Sequence, residues 1–307
     1  MLRRKFHDGW LSVTIAPGHF DLAHVLRRPG KKPEVLLLHS QPGADGAQAG
    51  DLVALRKRFG LARYRCTNLL YEGEYQLLQV EPPEVPAAEV KEALRWRIRD
   101  SLNFPAEAAT VDMLEIPSDP GTFGRAKQVF AVAASNELLS PRVALFDQAR
   151  VPLAAIDIPE LAQRNISALF EEENRGLALL AFDAAGALLT FTFRGELIAV
   201  RRIDVSSPQL QQADSARREQ LFERVALEAQ RSLDNFDRQH GHISVTRLLV
   251  SPLPELPEFF EYLRKDIPLP VEELDLSQVL DFPALPELLL PARQSQCLKA
   301  LGAALRD

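Results

Sequence analysis

Two histidines separated by one glycine, His240-Gly241-His242, are the residues of this sequence that most resemble a metal-ligand pair. Protein zinc sites take three or four ligands at recognisable spacings from cysteine, histidine and carboxylate residues. No third histidine or cysteine stands at such a spacing, and Cys66 and Cys297 lie far from each other in the sequence. A glycine between two polar residues is instead typical of an exposed turn. We therefore predict a turn between a helix and a strand here, and no metal site.

The sequence also lacks the short motifs of nucleophilic catalysis and of phosphate binding. It has no Gly-x-Ser-x-Gly elbow and no Walker-type loop. Asp183 and Gly186 form an Asp-x-x-Gly pair at a predicted hairpin turn. Such a pair is a common turn former, because aspartate bonds to its own backbone and glycine tolerates unusual dihedral angles. These residues do not by themselves indicate an enzyme.

Composition narrows the class of protein. The 307 residues are 46% hydrophobic and 25% charged, an ordinary globular mixture that predicts about two domains. The net charge of −6 argues against a general nucleic-acid binder, which carries a strongly basic face. No apolar run reaches the ~20 residues that span a bilayer. The N-terminus is basic, but no hydrophobic segment follows it, so we expect no signal peptide and a soluble cytoplasmic protein.

Two basic clusters interrupt this acidic background. One is Arg3-Arg4-Lys5, and the other comprises Arg27-Arg28 and Lys31-Lys32. Solvated chain ends account for them most simply. The alternative is weak electrostatic contact with anionic lipid, worth ~1 kcal/mol for each basic residue near the surface. The sequence leaves both interpretations open.

The predicted elements repeat one unit. Residues 10–15 and 20–26 indicate a hairpin, and residues 177–182 and 188–193 indicate another, continued by a strand over 197–203. Each hairpin is followed by helices and one further apolar strand. A duplicated start of this kind predicts an α/β chain whose two related halves face each other across a cleft.

A smaller unit interrupts the first half. Pro82, Pro83 and Pro86 cannot continue a strand ladder, and we place a boundary there. A helix with apolar residues at every fourth position, two strands and a second helix follow over 87–150. The predicted division is therefore 1–86 with 151–175 for the first half, 87–150 for an inserted α+β subdomain, and 176–307 for the second half. The last helix, 295–305, can pack back on the first half.

Several segments resemble the PilM family of type IV pilus assembly proteins, including its shorter MshI-like members. They are Leu94-Arg95-Trp96 with Asn103-Phe104-Pro105, residues 129–134, Ala155-Ile156-Asp157-Ile158-Pro159, the helix segment Ala229-Gln230-Arg231-Ser232-Leu233-Asp234-Asn235-Phe236, and residues 300–306. The segment at 229–236 is the most specific. The resemblance covers roughly residues 90–307 in the family's order. It implies the actin-like fold, with two ribonuclease-H-like halves and a small insert in the first.

The same resemblance implies where an actin-like ATPase would hold magnesium and nucleotide. Such a site needs a hairpin turn open to phosphate in each half, an acidic residue after each first strand and a glycine-rich loop after a late strand. Here Thr14 stands at the first acidic position, Pro17 removes a backbone donor, and Pro252 follows Ser251 where glycines are expected. We expect a vestigial nucleotide cleft. Its residues would be Gly18, Asp183, Gly186 and Ser251, with Glu228 and Arg231 lining it.

The function that the resemblance implies is therefore a cytoplasmic, non-catalytic scaffold at the inner membrane, without ATP or magnesium as cofactor. Its partner would be the N-terminal segment of an inner-membrane pilus-assembly protein, PilN-like or MshJ-like. In relatives this segment lies between the first half and the insert, where Trp96 could form a groove wall or simply pack within the insert. The alternative is an actin-like ATPase in which Asp183 holds magnesium and closure regulates pilus or type II secretion assembly.

Overall fold

The computed structural model describes residues 6–16, 19–42, 49–117 and 127–306. The strands are β1 (Trp10–Ala16), β2 (His19–Leu26), β3 (Glu34–Pro42), β4 (Arg65–Leu69), β5 (Gln76–Val80), β6 (Ala109–Glu115), β7 (Val129–Ser135), β8 (Leu153–Asp157), β9 (Gly176–Phe182), β10 (Ala187–Phe193), β11 (Glu196–Ile203), β12 (Val245–Val250) and β13 (Val271–Glu273). The helices are α1 (Ala49–Phe59), α2 (Val90–Arg97), α3 (Asn136–Gln148), α4 (Pro159–Phe170), α5 (Ser207–Gln212), α6 (Ser215–His240), α7 (Pro257–Asp266) and α8 (Pro291–Ala304).

Two five-stranded sheets share one topology. The first has the order β3-β2-β1-β4-β8 and the second has the order β11-β10-β9-β12-β13. In each sheet the first three strands form an antiparallel meander, and the last two run parallel to the first strand. The duplicated hairpin predicted from the sequence is confirmed, and with it the two-half α/β architecture.

The central strand of the second sheet shows why these segments become strands. All seven residues of β9 are buried, as expected for a strand that is covered on both faces. Because side chains alternate along a strand, Leu180 and Phe182 enter a core with α6 and α7. Leu177 and Leu179 enter a different core that contains residues of α8. The sheet is thus held between two separate hydrophobic layers.

Two helices cross at the junction of the halves. Helix α4 follows the last strand of the first sheet but packs on β9, β10 and β11 of the second. The sequence-based division placed 151–175 entirely in the first half, and this packing corrects it. Helix α8 ends the chain and packs on β1, β2 and β4 of the first sheet. The two helices meet at Gly302, where an added Cβ would lie 2.1 Å from the carbonyl oxygen of Ala162.

The insert is built on a third, antiparallel sheet in the order β5-β7-β6. Leu94 and Ile98 cover one face of it, and Phe130 on the other face joins the core of the second half. Strand β5 lies before the predicted start of the insert at residue 87. The prediction was wrong because the proline run connects β5 to α2 instead of separating two units. Helix α3, predicted as part of the insert, packs on β7 of the insert and also on α1 and β8 of the first half.

Candidate functional site

A cleft of about 960 Å³ separates the two halves and receives side chains from both. Its polar lining includes Thr14, His19, Asp21 and Ser40 of the first sheet, Asp183, Ser207 and Glu255 of the second half, Ser295 and Lys299 of α8, and Glu72. The turn that follows β9 lines this cleft through Asp183, Ala184 and Ala185, and His19 lines it at the start of β2. Gly18, predicted as a cleft residue in the first turn, lies outside the described residues.

Asp183 and Gly186 form the turn between β9 and β10. One carboxylate oxygen of Asp183, Oδ1, accepts hydrogen bonds from the backbone amides of Ala185 at 2.7 Å and Gly186 at 3.0 Å. Gly186 has no room for a side chain, because a Cβ would lie 2.9 Å from the carbonyl oxygen of Ile203. The two amides that could face a phosphate are therefore bonded to Asp183 within the turn.

The second carboxylate oxygen of Asp183 forms an ion pair with the ammonium group of Lys299 from α8. Burial lowers the pKa of Lys299 to about 8, while the carboxylates of Glu160 and Glu72 oppose that shift. The amine is therefore still charged at neutral pH. Lys299 thus places a positive charge beside Asp183, the acidic residue predicted at the second hairpin turn. The sequence analysis did not identify this lysine, although it is the only charged residue between Cys297 and Leu305.

The first sheet contributes a second carboxylate that the sequence analysis also missed. Asp21 lies directly opposite Thr14 in the β1–β2 hairpin and is 5% exposed. Its Oδ1 accepts a hydrogen bond from the Ser40 hydroxyl, and its Oδ2 lies 3.2 Å from Nε2 of His19. Each oxygen of Asp21 therefore has a partner within the first sheet. The hairpin register was the available signal, since it pairs Thr14 with the single acidic residue of β2.

The loop after β12 is fixed by its neighbours. Ser251 is buried, its hydroxyl accepts a hydrogen bond from the Phe182 amide at 3.1 Å, and its own amide donates to the Leu180 carbonyl at 2.8 Å. Ser251 thus supports β9 and does not line the cleft, in contrast to the prediction. Pro252 takes the lining position, and its carbonyl accepts a hydrogen bond from the Ser295 hydroxyl at 2.8 Å.

Glu228 and Arg231 were also predicted to line the cleft, and the structure places them elsewhere. Both lie on the side of α6 away from its buried stripe, which includes Val225 and Ala229. Glu228 Oε2 accepts a hydrogen bond from Arg201 at 2.6 Å, and Arg231 lies 3.3 Å from the other oxygen. The hydrogen bond from Arg201 lowers the pKa of Glu228. The pair belongs to a surface ion network on the second half.

A buried polar network joins the two halves next to the cleft. Glu160, at the start of α4, is 1% exposed and lies 2.5 Å from the Tyr75 hydroxyl and 2.6 Å from Nη2 of Arg202. Arg202 is on β11, contacts the Tyr75 hydroxyl, and also donates to Glu72 at 3.1 Å. Burial raises the pKa of Tyr75, so its hydroxyl keeps its proton and donates to Glu160. The network connects the second sheet to the segment that leads into the insert.

The remaining sequence candidates lie on the surface. Trp96 is 44% exposed on α2, opposite the buried Leu94, so its ring is accessible on the insert. The turn predicted at 240–242 is present, since α6 ends at His240 and the Ile243 amide donates to the His240 carbonyl at 2.7 Å. Among the described residues, no three histidine, cysteine or acidic side chains are grouped so that they could hold a metal ion.

Solved structures identify this architecture. A chain of a structure described as a PilM–PilN type IV pilus biogenesis complex superposes with a TM-score of 0.72, covering 97% of this chain and 98% of that one at 20% identity. The fold is actin-like, of the PilM form. A Bacteroides thetaiotaomicron protein, described as having an actin-like ATPase fold and unknown function, gives a TM-score of 0.50 at 11% identity over 94% of this chain and 96% of its own. No protein-family model and no curated protein matches the sequence.

The PilM-like fold confirms the architecture that the resemblance implied. The likeness extends over nearly the full length of both chains.

Proposed function

We propose that this chain is a non-catalytic scaffold in the assembly of a type IV pilus of the MSHA type, where it binds the N-terminal segment of a PilN-like or MshJ-like inner-membrane protein. The observation that carries the proposal is the full-length likeness to the PilM–PilN chain combined with a cleft whose hairpin carboxylate is paired with the protein's own lysine. Both features favour a fold retained for protein contacts.

The cleft chemistry supports the non-catalytic part of the proposal. A nucleotide-dependent actin-like enzyme needs a carboxylate to hold magnesium and to order the attacking water. At the two hairpins, Asp183 is bonded to its own turn and to Lys299, and Asp21 is bonded to Ser40 and His19. Because both hairpin carboxylates already have partners, they do not fit a magnesium ion, and we assign no step to a magnesium–nucleotide group.

The proposed partner site lies on the insert side of the first half. A disordered N-terminal segment binds in extended form by filling a groove with alternate side chains and by donating backbone hydrogen bonds. Exposed aromatic residues are enriched at the centre of such sites, because one ring buries a large area. Trp96 is the one tryptophan of the described residues with more than a third of its surface exposed, and we place it in the groove wall.

Localisation follows from the partner. Among the helices of the described ranges, none has the length and the apolar character that crossing a membrane requires. In the proposed arrangement the chain stays in the cytoplasm and reaches the inner membrane through the bound segment of its partner.

The proposal is tested by calorimetric titration with a synthetic peptide of the first residues of the PilN-like partner. We expect binding that weakens by about tenfold or more in Trp96→Ala, as for an interface hot spot. Leu227→Ala is the matched control, because Leu227 is 42% exposed on α6 of the second half. Absence of peptide binding by the unmodified protein would disprove the scaffold function, whereas unchanged binding by Trp96→Ala would disprove only the groove assignment.

A further inference from the structure

The most exposed large hydrophobic side chains of the described residues are adjacent in the sequence. Leu289 is 64% exposed and Leu290 is 61% exposed, at the junction between a short 3-10 turn and α8. Leu288 is fully buried and anchors this junction in the core. Two neighbouring leucines held outward on an anchored turn are unusual for a surface that faces only water, because their burial would be favourable.

Basic side chains stand beside these leucines. A hollow of about 610 Å³ is lined by Leu289 together with Arg28, Lys31 and Lys32. Arg28 pairs with Glu34 at 3.2 Å, and Lys32 donates to the Ser277 carbonyl at 3.3 Å. Lys31 forms no salt bridge with any residue of the described ranges. We call Arg28, Lys31, Lys32, Leu289 and Leu290 the basal surface.

The basal surface is locally positive, whereas the whole chain has a negative net charge. Arg28, Lys31 and Lys32 are the three cations that line the hollow. The same lining contains two carboxylates, Asp281 and Glu34, of which Glu34 is paired with Arg28, so the cations exceed the carboxylates by one. The chain as a whole carries a net charge of −6, and the excess is therefore a local feature.

Backbone hydrogen bonds hold the two parts of this surface together. The Val35 amide donates to the Asp281 carbonyl at 2.7 Å, and the Asp281 amide donates to the Pro33 carbonyl at 2.9 Å. Glu34 and Asp281 also form an isolated parallel bridge. The basic turn at 27–33 and the segment that carries the leucines are thus parts of one rigid platform.

We propose that the basal surface docks directly on a bilayer that contains anionic phospholipid. Such a bilayer offers negative headgroups that attract the lysines and an apolar acyl boundary that can bury the leucines. A ligand of this surface has to satisfy both kinds of side chain. Inorganic phosphate or another soluble anion would leave the leucines exposed to water. This contact is separate from the partner groove, and it does not depend on the proposed scaffold function.

Vesicle co-sedimentation of the full chain, without any partner, tests the proposal. We expect binding to phosphatidylethanolamine vesicles that contain phosphatidylglycerol, weak binding to phosphatidylcholine alone, and a loss of binding at high salt because of screening. Lys31→Glu/Lys32→Glu should weaken binding by more than about tenfold, given roughly fivefold for each basic residue near the surface. Leu289→Ser/Leu290→Ser should weaken binding to the same vesicles without changing its salt dependence.

The matched controls change the same residue types elsewhere on the surface. Lys57→Glu/Lys265→Glu alters the net charge equally on α1 and α7, and Leu227→Ser removes an exposed leucine from α6. Both controls should bind vesicles like the unmodified protein. Equal binding to anionic and zwitterionic vesicles, no binding to either, or an equal loss in variants and controls would overturn the proposal. So would competition by inorganic phosphate at unchanged ionic strength, which would identify a soluble anion as the ligand.

Discussion

The ammonium group of Lys299 in α8 forms an ion pair with the carboxylate of Asp183 in the β9–β10 turn. The pair connects the last helix, which packs on the first sheet, to the first hairpin of the second sheet. It lies in the cleft where the actin-like fold would bring magnesium and nucleotide. One side-chain contact therefore both joins the halves and uses the carboxylate that an ATPase would need.

Lys299→Met should destabilise the protein by less than about 1 kcal/mol, because the burial that lowers the pKa of Lys299 offsets part of the attraction within the pair. Lys265→Met, an exposed lysine of α7, is the control and should leave the free energy of unfolding unchanged. Urea unfolding measures both. Equal stability of the two variants would show that the Lys299–Asp183 pair does not stabilise the fold.

Arg202→Met should have a larger effect, about 3 kcal/mol, because it leaves the buried carboxylate of Glu160 without its cation. A double variant with Glu160→Gln should recover a large part of that loss, since the uncompensated charge is then removed. Arg231→Met, which breaks a surface pair on α6, is the matched control and should cost little. A double variant no more stable than Arg202→Met would contradict this explanation.

Gly302→Ala should destabilise the crossing of α4 and α8 by about 3 kcal/mol, as overpacking of a tight contact does. The added Cβ would lie 2.1 Å from the carbonyl oxygen of Ala162, and the three atoms nearest to it are all backbone atoms of Ala162 in α4. Gly50→Ala in α1 is the control, since no atom lies within 4 Å of its added Cβ. Thermal unfolding measures both variants. A lower Tm in Gly302→Ala alone indicates the close packing at Ala162, and the same change in Gly50→Ala would indicate a general effect of alanine in helices.

Acidification should lower stability through His24. This histidine is 4% exposed, its Nε2 lies 2.9 Å from the Asp8 carbonyl oxygen, and burial lowers its pKa from the ordinary value of 6.5. Below pH 6.5 the unfolded chain gains a proton that the folded chain resists. The free energy of unfolding therefore falls as the pH decreases, by at most about 1.4 kcal/mol per pH unit.

The control for this prediction is His242, which is exposed, whereas His24 is buried. His24→Gln removes the titrating group and should flatten the dependence of stability between pH 7 and pH 5.5, relative to the unmodified protein. His242→Gln, at the exposed turn after α6, should keep the original slope. An unchanged slope in His24→Gln would assign the pH dependence to other groups.

Local patterns in the sequence were sufficient to predict most of the fold. The hairpins at 10–26 and 177–203 have apolar strands and short turns, and the long helix α6 carries a buried residue at nearly every fourth position, including Leu221, Val225 and Ala229. Such signals depend only on neighbours along the chain, and they led directly to the two-half architecture.

The parts that sequence reasoning missed depend on pairing between distant segments. β5 is an edge strand of the insert, and nothing in its five residues shows that it pairs with β7 instead of β4. β13 has only three residues, too few for a period to be recognised. The contacts in the cleft could not be predicted for the same reason. Asp183 pairs with Lys299 of α8 and Asp21 bonds to Ser40 of β3, and both partners are distant from these residues in the sequence.

Glu228 and Arg231 illustrate the opposite error. Their helix segment resembles the family, which led to the prediction that they line the cleft. The buried stripe of α6 faces the second sheet and includes Ala229, so the residues on either side of it point outward. A resemblance assigned the helix correctly, but only the packing determined which of its faces reaches the cleft.

The measurement that tests the account most directly is calorimetric titration of the protein with the N-terminal peptide of its PilN-like partner, carried out with and without magnesium-ATP. A scaffold whose cleft carboxylate is paired with Lys299 should bind the peptide with the same affinity in both conditions, and magnesium-ATP alone should give no heat of binding. Peptide binding that requires magnesium-ATP, or that is absent in both conditions, would contradict the account.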